Sequence, residues 1–208
     1  MVDKINEIKT IKNPAEFKIK EKGSIFYGKS FFVENEESSN QILVSIKKKY
    51  FDATHHCFAF RLSTNAFQYS DDGEPSGTAG IRILNAIDHY KLSYCLIVVV
   101  RYFGGTKLGI GHLGKAYYNA ALKTLEYSGI INRKLYSEVI LTCNFSKINL
   151  AYRILNTIEA KILNTSYGEE IKIFTLIEQL KIGQLKSAIA ELSQDQIKVF
   201  VTNNTNFI

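Results

Sequence analysis

Residues 96–100 read Leu-Ile-Val-Val-Val. A strand that shows one face to water alternates apolar and polar residues, whereas one apolar at every position needs cover on both faces of its sheet. This run therefore demands a sheet with a packed layer on each side. Two glycine-bearing loops flank it, DDGEPSGTAG (71–80) and RYFGGTKLGIGHLG (101–114), and each runs into a helical pattern. Eight of the chain's 13 glycines (73, 77, 80, 104, 105, 109, 111 and 114) lie between residues 69 and 115. Glycine is costly to order, so such density marks tight turns or close backbone approach. The expectation is that strand ends and helix starts meet here in one surface site.

The surrounding pattern places strands at residues 14–20 and 24–33, turning at Gly23. A helix follows to residue 50. Asn35 is its N-cap, acids fill its first turn and lysines its last. Residues 54–62 alternate: His56, Phe58, Phe60 and Leu62 share one face, and His55, Cys57, Ala59 and Arg61 the other. Thr78 is the expected cap of a helix reaching about residue 89. An amphipathic helix spans about 112–128, with Gly129 ending it. These elements make an α/β sandwich over residues 1–134. From 135 onward the order is strand, helix capped by Ser146, hairpin around Gly168, helix and strand. That βαββαβ order is ferredoxin-like. The fold class is thus α+β, with domains at 1–134 and 135–208.

Composition (46% hydrophobic, 22% charged) is that of a globular protein. No apolar run approaches the ~20 residues that cross a bilayer, so no membrane partner is expected. The N-terminus lacks the apolar stretch of a signal peptide. Three well-separated cysteines in apolar strand patterns suggest buried thiols in the cytoplasm. The net charge of +6 is uneven: residues 1–134 hold 19 Lys+Arg against 13 Asp+Glu, and residues 135–208 hold seven of each. A basic module attracts phosphate-bearing partners.

The loop before the helix near His112 is the leading binding candidate. Gly104, Gly105, Gly109 and Gly111 leave amides uncovered, and a helix start adds positive potential. Arg101 supplies a bidentate fork, with Lys107 and Lys115 as point charges. The spacing is not that of a P-loop. The plainer reading is a glycine turn needed only for packing. Asp71, Asp72 and Glu74 can hold Mg²⁺ beside a phosphate or supply a base, although acidic turns are common. His55 and His56 face opposite sides of a strand and cannot share a metal, so no metal site is assigned. One of them can act in the pocket. No nucleophile elbow supports a serine hydrolase, and the apolar neighbours of Cys57 argue for burial.

In order and spacing, THHCFAF, SDDGEPSGTAG, VVVRYFGGTKLGIGHLGKAY and LTCNFSK resemble the IMPACT/YigZ family over nearly the whole chain. The resemblance implies a first domain with the ribosomal protein S5 domain 2-like fold. It implies a ferredoxin-like second domain similar to the last domains of elongation factor G. By position, the family's motif residues are His55, His56, Asp71, Asp72, Glu74, Thr78, Arg101, Gly104, Gly105, Leu108, Gly109 and Gly111. Two departures stand out: His112 replaces a usual glycine, and Ile81-Arg82 replaces a common Lys-Pro. Eukaryotic relatives regulate translation by competing for the activator of a stress kinase.

The expected function is a translation-associated regulator that binds RNA or the ribosome through the basic glycine loop, with His112 beside it. One alternative is an enzyme, Mg²⁺-dependent, acting on a small phosphorylated or nucleotide ligand. Another is a regulator that binds a protein partner. No cofactor other than Mg²⁺ is suggested.

Overall fold

The computed structural model describes residues 6–208. The chain forms two compact units, one of residues 8–132 and one of residues 6–7 with 133–208. Both are mixed α+β.

The first unit is built on a five-stranded sheet of order β2-β3-β6-β4-β5. Its strands are β2 (Ala15–Glu21), β3 (Ser24–Phe32), β4 (His55–Arg61), β5 (Phe67–Ser70) and β6 (Cys95–Tyr102). Every pairing is antiparallel. The central strand β6 explains the demand for two-sided cover. Its Cys95, Ile97 and Val99 enter one core with α2 (Gly80–His89) and α3 (Ile110–Ser128). Its Leu96, Val98 and Val100 enter another with Leu43 and Ile46 of α1 (Glu36–Lys49). All six are fully buried. At ~25 cal/mol per Å² of apolar surface, burial on both faces makes this strand a source of hydrophobic stabilisation to both cores.

Local chemistry sets the element ends. Asn35 caps α1 by accepting from Ser38 N at 2.8 Å, within a reciprocal capping box. The expected Thr78 cap of α2 is not formed. Thr78 Oγ1 instead donates to the Pro75 carbonyl at 2.6 Å, and the Asp71 carboxylate caps the helix by accepting from the Gly77, Ala79 and Gly80 amides at 2.8–2.9 Å. A short strand, β1 (Glu7–Ile11), lies in the segment left unassigned by pattern.

The second unit takes in β7 (Ile130–Cys143) from residue 133 onward, then α4 (Ile148–Thr157), β8 (Lys161–Ser166), β9 (Ile171–Glu178), α5 (Ile182–Ser193) and β10 (Ile197–Phe207). Its strands pair antiparallel in the order β8-β9-β7-β10. Val139, Leu141 and Ile173 of the sheet pack with Leu155 of α4 and Leu185 of α5 in one core. Ser146 does not cap α4, because a 3-10 turn, Phe145–Lys147, leads into the helix and no side-chain cap bond forms.

Candidate functional site

Strand alternation separates the two histidines. His55 projects toward α2 and α3, and its Nδ1 lies 2.8 Å from the Asp72 carbonyl. A carbonyl only accepts, so Nδ1 carries the proton. His56 projects to the α1 side, buried, with Nε2 2.9 Å from the Tyr50 carbonyl. His56 is therefore a structural residue and takes no part in the cleft.

The end of β6 delivers Arg101 to the floor of a cleft of about 380 Å³. His55, Glu74, Pro75, Phe103, Lys107 and Leu108 are among its walls, with Gly109, Ile110 and Leu113 at the α3 end. Arg101 is 5% exposed. Its Nη1 donates to Glu74 Oε1 at 2.5 Å and its Nη2 to Ser24 Oγ at 3.3 Å, while its guanidinium lies 5.3 Å from the Phe26 ring and 5.5 Å from the Phe103 ring. Tyr117 Oη donates to the same Glu74 oxygen at 2.7 Å. The expectation of Arg101 as an anion clamp meets a group already partly engaged: one N–H goes to Glu74 and one to Ser24.

The acidic turn is corrected in the same way. Asp71 is the α2 cap. Asp72 accepts from the His56 amide at 2.6 Å and pairs with Lys47 at 2.9 Å. Burial alone would raise the Asp72 carboxyl, but Lys47 and the His56 amide outweigh it and hold the group below its ordinary value. With Asp71 and Asp72 engaged by amides and Glu74 by Arg101, the three carboxylates do not converge. Among the described residues no group of three or more His, Cys, Asp or Glu is placed to hold a metal ion. Cys57 lies 3.4 Å from Tyr117 Oη, and burial pushes both groups up, so Cys57 stays a thiol.

The glycine loop serves two purposes. Gly104 is a packing glycine: a Cβ there would lie 1.9 Å from the Gly23 carbonyl carbon. Gly105, Gly109 and Gly111 face open space. The last is notable, since neither backbone conformation nor crowding requires glycine there. From Phe103 to His112 only Leu108 is buried. The 19-residue helix α3 begins with no side-chain cap and no acid in its first turn. Gly111 and Lys115 line a second, adjacent cleft of about 460 Å³ with Arg82, Asn85, Ile110, Gly114 and Tyr118. His112 is exposed and lines neither cleft.

The proposed residues thus divide. His55, Glu74, Arg101, Lys107 and Gly109 share the first cleft, and Gly111 and Lys115 the second. Sequence reasoning missed Tyr117, Phe103 and Ser24 in the first cleft's surroundings and Arg82 in the second. Tyr117 carried a usable signal, because a tyrosine on a buried helix face needs a partner for its hydroxyl.

Comparison with known proteins agrees with this frame. Residues 22–125 match the Impact N-terminal domain. IMPACT family member YvyE of Bacillus subtilis (strain 168) is 30% identical over 186 residues, covering 88% of this chain and 86% of the relative. An IMPACT family member of Haemophilus influenzae is 32% identical over 173 residues, covering 80% and 82%. A crystal structure described as that of a hypothetical protein superposes with a TM-score of 0.68 at 24% identity, covering 96% of this chain and 99% of that one, which establishes a shared fold. The chain belongs to the IMPACT family.

Proposed function

We propose that this protein is a cytoplasmic, translation-associated regulator that binds RNA, free or on the ribosome, through the exposed loop 103–112 and the start of α3. The observation that carries the reading is the uncapped N-terminus of α3, whose amides are bared at Gly109 and Gly111 with Lys107, Lys115 and Arg82 alongside. Helix amides and nearby cations stabilise phosphate together. The charge asymmetry supports it, as the whole excess of +6 lies in residues 1–134. So does the engagement of the acidic turn, since the Asp71 carboxylate is hydrogen-bonded to backbone amides and Glu74 is paired with Arg101. The sheet order β8-β9-β7-β10, with both helices contributing to one core, supports a ferredoxin-like second domain. The arrangement of α1 opposite α2 and α3 supports the ribosomal protein S5 domain 2-like assignment of the first.

The test is the affinity of the full chain for a short single-stranded RNA as salt is varied. Log K is expected to fall linearly with log salt by ~0.7 per phosphate neutralised. An affinity that does not change with salt would overturn the proposal.

A further inference from the structure

The first cleft has a polar floor of unusual character. Its buried cation, Arg101, gives one Nη1 hydrogen to Glu74 and one Nη2 hydrogen to Ser24, and its Nε is buried without a partner. Beside it stand two acceptors. Glu74 Oε1 is taken by Arg101 and Tyr117, and Oε2 receives no hydrogen bond from any described residue. With the His55 ring neutral, the proton held at Nδ1 by the Asp72 carbonyl leaves Nε2 as a second acceptor, 3.8 Å from Glu74 Oε2. Glu74 and Arg101 cancel in charge, so the floor wants hydrogen-bond donors and not a net cation. The walls are apolar. Phe103 rests on the Arg101 guanidinium yet remains 46% exposed, and Lys107 and the bared loop amides stand at the rim.

We propose that this cleft is a nucleobase pocket that selects bases carrying an exocyclic amino group. The inference rests on the RNA-binding reading of the adjoining loop. An unpaired base extruded from a strand stacks on Phe103 and directs its amino edge to Glu74 Oε2 and His55 Nε2. Its phosphates meet the loop amides and Lys107. Single-stranded RNA is generally recognised by such stacking and edge contacts. A volume of about 380 Å³ accommodates one base with its sugar. Uracil is disfavoured, because its single N3–H lies between two keto oxygens and can serve only one of the two acceptors.

Oligocytidine and oligouridine of equal length give the cleanest test, since the two bases match in size and differ in the groups facing the floor. At fixed salt the full chain is expected to bind oligocytidine about tenfold more tightly. Glu74→Gln places an amide on the floor and should abolish that preference. His55→Ala, at a partly exposed residue, should reduce it and serves where the Gln variant does not fold. Equal, salt-sensitive binding of both oligomers would overturn the base pocket and leave the RNA reading standing. Binding of neither would overturn both.

Discussion

Gly111 separates two explanations of the glycine loop. Gly104 needs no ligand to account for it, since Gly23 occupies the space a side chain would take. Gly111 lies inside a helix with nothing within 4 Å of a Cβ. Gly111→Ala should leave stability unchanged or raise it by up to ~1 kcal/mol. If the bare amide meets phosphate, the same variant should weaken RNA binding, and thermal melts paired with titrations read both effects. Glu74 tests the opposite case. Glu74→Ala strands the Arg101 guanidinium without a counter-charge in a buried site, and should cost about 3–5 kcal/mol in denaturant unfolding. The motif residues Arg101 and Glu74 were visible in the sequence, but their mutual engagement was not. Twenty-seven residues separate them, and only the packing of the 71–80 turn against β6 brings them together. Likewise His55 and His56 were correctly set on opposite faces by strand alternation, yet alternation alone could not say which face held the cleft.

At the level of elements, apolar patterning was the most legible signal. The unbroken run in β6 called for cover on both faces, and α1 on one side with α2 and α3 on the other supplies it. Cap assignments fared unevenly. Asn35 lies next to its helix and was found, because the capping box is local in sequence. The cap of α2 comes from Asp71, eight and nine residues before two of the amides it satisfies, beyond the reach of a rule that inspects adjacent residues. Asp71→Ala removes three charge-assisted bonds and should destabilise the first unit by roughly 2–3 kcal/mol, with Asp71→Asn recovering part of the loss. An equal stability of Ala and wild type in denaturant melts would show that the turn needs no such cap. The strand β1 went unassigned because an alternation of only five residues is too short to stand out.

Across the whole molecule, the division of charge and the division of fold nearly coincide. Residues 1–134 hold the excess base, while 135–208 balance at seven of each sign. Salt-dependent binding should therefore respond to cations of the first unit alone. The double variant Lys107→Ala/Lys115→Ala, at two exposed positions, should lower the salt slope by about one to two while leaving the unfolding midpoint in place. Lys172→Ala/Lys198→Ala, in the second unit, should leave the slope unchanged. The most direct measurement is amide-resolved NMR of the full chain titrated with a short single-stranded RNA. The account predicts the largest shifts at Gly105, Gly109, Ile110 and Gly111, with salt reversing them. Shifts confined to the second unit, with these amides unmoved, would contradict it.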